Sequence, residues 1–550
     1  MQSKRGLASQ RIVLFSILML AFSVVPHSSD SILLRIDRGE GIADAEGTLQ
    51  DISVLQELDS CWIAETSWEQ VDTLQRQGVA CEILDPFPSG KAYYLLLGSA
   101  SDQIHAIEPL GHVTAVEDQV WLFWSEGEDF WDLMPAQIQI KRLPEKTARR
   151  ITLTAVQPAW EMSLQEEASP NLTVAKIVSE MEKENLTLRI QDLEDFRTRR
   201  APTANLEAAG TYIYNFFKDQ GIAVEYDAFA FTYQGATYPT NNIVATIPGR
   251  TAPEQIIIVG AHYDSTSDQA FTRAPGADDN ASGSAAVMEI ARIMSRHVFD
   301  RTVRFICFSA EELGLRGSQH YTQEAVQRGE IVRGMIDLDM IGYTTSSAQP
   351  LSLISNSPSE WLADLFVSCT ATYTALPIIK SIRPSATGSD HSPFWDQGYS
   401  AVMGIEAYPL TNPYYHRTTD TLSTLNMDFA ASVTGAALAT TATLAQPVST
   451  PSPPTAVTAR SVATRSFLSR LKTVLVGWNS TDATVVGFNV YRSTALRAVY
   501  QKINSVPVNA NSYADRFLEP MKTYYYMVTA VDGQGRESNG SSEVRDDGKN

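Results

Sequence analysis

At 550 residues, with 44% hydrophobic and 19% charged side chains, the chain has ordinary globular composition and is too long for one compact core, so several domains are expected. A formal charge of −20 sets up a field that repels phosphate backbones and anionic lipid head groups, which argues against nucleic acid as a partner. Four cysteines (Cys61, Cys81, Cys307, Cys369) exclude a disulfide scaffold, and no C-x-x-C pair offers a sulfur zinc site, so any metal must be held by histidines and carboxylates.

Lys4, Arg5 and Arg11 lead into an uncharged apolar stretch, residues 12–25, shorter than the about 20 residues a helix needs to span a bilayer. Residues 1–29 therefore read as a secretory signal peptide, with an uncleaved anchor as the other reading. The expected location is extracellular or periplasmic, with no stable membrane insertion after cleavage. In an oxidising compartment Cys61 and Cys81 could pair, whereas Cys307, inside Phe305-Ile306-Cys307-Phe308, reads as a buried small hydrophobe.

Residues 31–150 contain two similar units, each a strand, a helix and a second strand: 60–64, 67–77 and 79–84, then 92–97, 101–110 and 112–123. Ser67 and Ser101 are candidate helix N-caps. The pattern predicts a small α+β domain, propeptide-like in its position between the signal and the larger domain C-terminal to it.

From 172 to 446 helical and strand-like patterns alternate. Helices are expected at 177–184, 188–197 and 206–220, the last with Ala209, Tyr212, Ile213, Phe216 and Phe217 at amphipathic spacing. The continuous apolar runs 256–259, 303–308, 335–338 and 401–405 suit a mostly parallel central sheet flanked by helices, an α/β fold. A proline-rich linker, 447–455, separates this domain from residues 456–545. There Val474, Val476 and Trp478 alternate, and further strands surround Phe488, Val490 and 524–531. The Trp478 strand, Gly487-Phe488-Asn489-Val490-Tyr491-Arg492 and Tyr524-Tyr525-Tyr526-Met527-Val528 resemble a fibronectin type III domain. The resemblance implies an all-β sandwich used for spacing or for contact with a surface or polymer.

Chemistry concentrates in 172–446, just after the apolar strands, where open α/β sheets build ligand sites. In Val259-Gly260-Ala261-His262-Tyr263-Asp264, the Asp264 carboxylate can fix the imidazole tautomer of His262 as a metal ligand. In Gly276-Ala277-Asp278-Asp279-Asn280-Ala281-Ser282-Gly283, the bland reading is an acidic turn with a helix cap. The functional one has Asp278 bridging two cations. Glu311 and Glu312 end a buried run where two carboxylates repel unless cations or protons offset them. Asp337-Leu338-Asp339 supplies another strand-end carboxylate, and Asn412-Pro413-Tyr414-Tyr415-His416 a second histidine in a turn-rich loop.

Together with Phe196-Arg197-Thr198-Arg199, 242–249 and Gly388-Ser389-Asp390-His391, this ordered set resembles the co-catalytic zinc aminopeptidases, a family that includes secreted bacterial leucine aminopeptidases. The resemblance implies two zinc ions, bridged by Asp278, with His262 and Asp339 completing one and Glu312 and His416 the other. Glu311 would be the general base for attack by a zinc-bound hydroxide on peptides with a free N-terminus. It also implies a cis peptide after the bridging residue, here Asp278-Asp279. The family's oxyanion tyrosine is absent from Arg383-Pro384-Ser385-Ala386-Thr387-Gly388, leaving Tyr343, Arg383 and His391 as candidates. Alternatives are a carboxypeptidase, dipeptidase or glutaminyl cyclase on the same fold, or an extracellular binding module.

Overall fold

The computed structural model describes residues 31–144, 171–448 and 451–548, apart from 40–41, 43–48, 50–51, 99–100, 128–129, 136–137, 347–348, 408, 466–469, 497–499, 534 and 539. The expected signal peptide lies outside the described residues. The chain divides into two compact units, one drawn from 1–170, 177–292 and 301–445, the other from 171–176, 293–300 and 446–550.

The first unit opens with two antiparallel four-stranded sheets. One comprises β1 (Ser31–Asp37), β2 (Ser53–Glu57), β3 (Cys61–Ser67) and β4 (Cys81–Asp85), ordered β2-β3-β1-β4, with α1 (Trp68–Arg76) between β3 and β4. Ser67 caps α1 in a reciprocal capping box with Gln70, as its position predicts. Strand alternation sends Ile32, Leu34 and Ile36 to a core shared with Val71 and Leu74 of α1. Leu33 and Ile63 face the second sheet. That sheet, β6-β7-β5-β8, is built from β5 (Tyr93–Leu97), α2 (Ser101–Ile107), β6 (His112–Glu117), β7 (Val120–Trp124) and β8 (Gln139–Arg142). The run 112–123 is thus a hairpin rather than one strand, because the chain reverses at Gln119 (φ 62°). Cys61 and Cys81 lie on strands flanking β1 and are free thiols. Two strand spacings, about 9 to 10 Å, exceed the reach of a disulfide.

After α3 (Leu172–Ser179), α4 (Lys183–Glu194) and α5 (Ala204–Asp219), an eight-stranded sheet occupies the rest of the unit. Its strands are β9 (Ala223–Tyr233), β10 (Ala236–Ile247), β11 (Ala252–His262), β12 (Arg301–Phe308), β13 (Ile331–Asp339), β14 (Leu351–Ser355), β15 (Ile378–Ile382) and β16 (Ala401–Glu406). The order is β15-β14-β16-β13-β11-β12-β10-β9. The four predicted runs form the parallel centre, β16-β13-β11-β12. β10 joins it antiparallel at one side and β14 at the other, so the sheet is mixed. Both faces are covered: Ile256 and Ile258 share a core with Tyr321 and Phe394 of α7 (Arg316–Gln327) and α9 (His391–Asp396), while α10 (Met427–Ala445) packs on β11 and β12. Helices α6 (Gly283–Met294) and α8 (Glu360–Tyr373) complete the layers. Cys307 is fully buried, as its apolar run predicts.

In the second unit, β17 (Thr455–Arg465), β18 (Arg470–Asn479) and β21 (Ser512–Leu518) form one antiparallel sheet. β19 (Val485–Ser493), β20 (Gln501–Lys502), β22 (Tyr525–Asp532) and β23 (Val544–Arg545) form another. Val474, Val476 and Trp478 of the first share a core with Phe488, Val490, Tyr526 and Val528 of the second, which makes this an all-β sandwich. None of the described helices is long and apolar enough to cross a membrane.

Candidate metal centre

The parallel strands β11, β12 and β13 end at the same edge of the sheet, so the residues at or just beyond their C-termini converge there. His262 is the last residue of β11, Glu311 and Glu312 follow β12 in a single 3-10 turn, and Asp339 ends β13. Ala310, Met340 and His416 take left-handed backbone conformations (φ 57°, 50° and 54°) in the turns that carry these groups. Such strained positions in non-glycine residues persist only where surrounding structure fixes them, and they collect at functional sites.

His262 Nε2 lies 3.2 Å from Asp279 Oδ1, 3.4 Å from Asp339 Oδ1 and 3.9 Å from Glu311 Oε2. His416 Nε2 lies 3.1 Å from Asp279 Oδ2 and 3.1 Å from Glu312 Oε2. Two overlapping clusters result, His262 with Asp279 and Glu312 and His262 with Glu311 and Asp339, each with its donor atoms within 4.8 Å of one another. The carboxylate set between the imidazoles belongs to Asp279, not to Asp278, where the sequence placed the bridge. Asp278 is turned away: its Oδ1 accepts from the Gly342 and Tyr343 N–H groups at 2.7 and 3.2 Å, and its Oδ2 from Asn412 Nδ2 at 3.0 Å. The cis peptide moves with it, to Asp279-Asn280 rather than Asp278-Asp279.

Three buried groups hold this loop. Asp420 accepts the Asp278 and Asp279 N–H groups at 2.9 and 3.1 Å. Arg199, fully buried, donates to the carbonyls of Tyr263, Pro275 and Gly276. Gly283 lets α6 begin against β13, since a Cβ there would sit 2.1 Å from the Leu338 carbonyl oxygen. Asp264 acts otherwise than the sequence reading expects, since its carboxylate stands 3.7 Å from His262 Nδ1, beyond hydrogen-bond distance. Its backbone carbonyl lies 3.2 Å from His262 Nδ1, while its carboxylate accepts the N–H groups of Glu311 (3.0 Å) and Glu312 (3.2 Å), fixing the turn that presents both glutamates.

Burial of so many acids has a clear electrostatic result. Desolvation and the like charge of Asp420 push Asp278 well above the usual carboxylate range, and desolvation does the same to Glu311. Asp279 is held far below it, because the two imidazoles outweigh desolvation. For His416 desolvation is outweighed by Glu312 and Asp279, and its pKa is pushed up to about 10; His262 is likewise raised, chiefly by Glu311 against desolvation. In this arrangement the imidazoles carry the positive charge that the carboxylates demand.

Glu312 Oε1 is buried with no hydrogen-bond donor among the described residues, and Asp339 Oδ1 faces only the His262 imidazole, at 3.4 Å. Acceptors left bare beside an excess of negative charge fit a cation, and imidazole with carboxylate is the donor set of zinc. Glu311, Glu312, Asp339, Asp279, His262 and His416 all line one cavity of about 510 Å³. Tyr415 lines it too, its ring stacked on His416 at 3.9 Å between centroids. Sequence reading missed Tyr415, Asp279 and Asp420, although the first two stand within the motifs that carry the other ligands and Asp420 lies four residues beyond His416.

None of the three oxyanion candidates lines that cavity. His391 is committed to Asp337 Oδ2 through Nδ1 (3.2 Å) and to the Ala386 carbonyl through Nε2 (2.8 Å). Arg383 lines a separate cavity, and the Tyr343 ring packs edge-on against Tyr414.

Residues 242–441 match the family model of peptidase family M28. The chain is 28% identical over 347 residues to leucine aminopeptidase 1 of Fusarium vanettenii, covering 60% of this chain and 84% of that one. It is 31% identical over 271 residues to a probable leucine aminopeptidase of Trichophyton verrucosum, covering 46% and 71%. Among solved structures it is similar to the LapA aminopeptidase of Legionella pneumophila (18% identity, 76% of this chain and 99% of that one, TM-score 0.47). A second is BSAP, a zinc aminopeptidase from Bacillus subtilis (16% identity, 48% and 96%, TM-score 0.43). With its chemical residues gathered inside the matched stretch, the chain belongs to peptidase family M28.

Proposed function

We propose that the chain is a secreted, zinc-dependent aminopeptidase that releases N-terminal residues from peptides. The carrying observation is the Asp279 carboxylate, set between His262 and His416 with Glu312 and Asp339 beside it. His262, Asp279 and Asp339 would hold one ion and His416, Asp279 and Glu312 a second. Zinc bound there supplies Lewis acidity, lowering the pKa of a water to about 7 and polarising a peptide carbonyl.

The chain's own groups do the rest. Glu311, with its backbone pinned by Asp264, faces the same cluster without being needed as a ligand. It takes the proton of the attacking water and returns it to the leaving nitrogen. Tyr415 is the oxyanion group in this reading. Desolvation and the charges of Asp279 and Glu312 raise its pKa well above the ordinary value, so the phenol stays a hydrogen-bond donor in the cavity beside His416. Cleavage from the amino end is taken from the relatives, which are named leucine aminopeptidases. Residues 1–29 direct export, and the C-terminal sandwich acts as a fibronectin type III-like contact or spacing domain.

The test is hydrolysis of leucine p-nitroanilide beside its N-acetylated form, with zinc counted by elemental analysis. Release from the free amine alone, with two zinc ions per chain, is expected. Equal turnover of the blocked substrate would remove the aminopeptidase reading, and one ion per chain would favour a cyclase.

A further inference from the structure

One wall of the cavity does not come from the eight-stranded sheet at all. Trp131, Met134, Pro135, Ile138, Gln139 and Ile140, from the end of the N-terminal region, line it together with His262, Glu311 and Glu312. This is an almost wholly apolar surface facing a wall of polar and acidic side chains.

The N-terminal region is fastened to the sheet domain by buried and partly buried contacts. Lys141, fully buried, places Nζ 2.7 Å from Asp396 Oδ2 and 3.0 Å from Oδ1 while also donating to Gln56 Oε1 at 2.5 Å. Gln319 Nε2 donates to the Arg142 carbonyl at 2.7 Å, and Asp59 accepts from the Ser385 N–H and hydroxyl at 3.1 and 2.6 Å. Separation would strand the Asp396 carboxylate without its ammonium partner, a costly outcome for a buried pair. Trp131 is preset by its neighbours. Its ring meets Tyr94 edge-on at 5.5 Å, and the Arg316 guanidinium stacks on it at 5.5 Å. Gly314, two residues beyond Glu312, gives it room: a Cβ there would sit 3.0 Å from the tryptophan ring. The wall therefore begins at the turn that carries the two glutamates, and the cavity beside it stays open at about 510 Å³.

We infer that Trp131, Met134, Pro135, Ile138 and Ile140 form the pocket for the side chain of the substrate's N-terminal residue, and that the N-terminal domain thereby selects large apolar residues. The occupant is set by continuity. The wall abuts the centre where the first peptide bond is held, so the side chain next to that bond meets Met134, Ile138 and Ile140. An aliphatic or aromatic group gains there by leaving water, while an ionised one finds no polar partner on Met134, Ile138 or Ile140 and loses solvation against them. The inference rests on the aminopeptidase reading and assigns part of its specificity to a domain that carries none of its catalytic groups.

The experiment measures kcat/KM of the full-length, zinc-loaded enzyme on alanyl, leucyl, phenylalanyl and lysyl p-nitroanilides, for the wild type and for Met134→Glu and Ile140→Ala. Alanine barely reaches the wall and serves as the internal reference. Failure of the wild type to cleave any of the four would sink the aminopeptidase reading itself. If the wild type is active, Met134→Glu should lower the leucyl-to-lysyl ratio by about tenfold or more, and Ile140→Ala should lower leucyl relative to phenylalanyl turnover. Unchanged ratios in both variants would overturn the inference. So would an active enzyme whose mature N-terminus lies beyond residue 143 and whose preference matches that of the full chain. A uniform rise on all four substrates would overturn it in favour of a plug.

Discussion

Asp278 and Asp279 are neighbours of the same type, and exchanging each for asparagine separates their roles. Asp279 offers one oxygen to each imidazole centre, at 3.2 and 3.1 Å, so Asp279→Asn removes a charged donor from both proposed ion sites at once. Zinc sites with four protein ligands bind with an apparent 10–16 kcal/mol or so, which is about 3 kcal/mol per ligand and hence about two decades of affinity at each site. Asp278→Asn changes something else. Its oxygens accept from Gly342, Tyr343 and Asn412, so an amide nitrogen in their place opposes a donor and costs about 1–3 kcal/mol of stability while sparing the metals. Zinc competition with a chromophoric chelator, run beside thermal unfolding, reads both quantities. If Asp278→Asn shed zinc while Asp279→Asn kept it at wild-type affinity, the assignment of the bridge would be wrong.

Glu311→Gln should keep its zinc and lose about 10²- to 10⁴-fold in kcat; wild-type turnover would remove Glu311 from the reaction. In Lys141→Ala the buried Asp396 carboxylate loses its partner, so a drop of about 3–5 kcal/mol is expected in calorimetric unfolding, much of it recovered in the double variant Lys141→Met/Asp396→Leu. Chelated protein should lose stability with rising pH. His416 is raised to about 10 in the fold against about 6.5 unfolded, so its contribution is complete below about pH 6.5 and disappears as the pH passes 10. A melting temperature of the chelated form that rose over that interval would contradict a centre whose imidazoles balance the buried carboxylates. Deleting residues 456–550 should leave aminopeptidase kcat/KM unchanged, because every described residue that lines the cavity lies outside that stretch.

How visible each feature is in the sequence depends on the range of the forces that make it. The parallel strands of the centre were legible because burial on both faces makes them continuous apolar runs, and their C-terminal ends then pointed to His262, Glu311, Glu312 and Asp339. β9 and β10 were not. β9 lies at the sheet edge and is mostly exposed, and in β10 only the short run Ile243-Val244-Ala245 is both apolar and buried. Which of two adjacent aspartates meets the histidines was beyond composition and spacing. It is decided by where the preceding carboxylate finds hydrogen-bond donors, and those are Gly342, Tyr343 and Asn412, each more than sixty positions away in the chain. Asp264 shows the same limit. Proximity suggested that its carboxylate orients His262, whereas its backbone carbonyl stands there, and its carboxylate's bonds to the Glu311 and Glu312 N–H groups required β11 and β12 to be paired first. The apolar wall was the least visible feature, since nothing in residues 131–140 suggests chemistry on its own. It becomes part of a site only because Lys141 is buried against Asp396, and that pairing depends on a packing partner 255 residues further along the chain. If severing it by Lys141→Ala leaves side-chain preference intact while loosening the N-terminal domain to limited proteolysis, specificity resides in the sheet domain. Preference lost together with protection would tie selection to the docked domain.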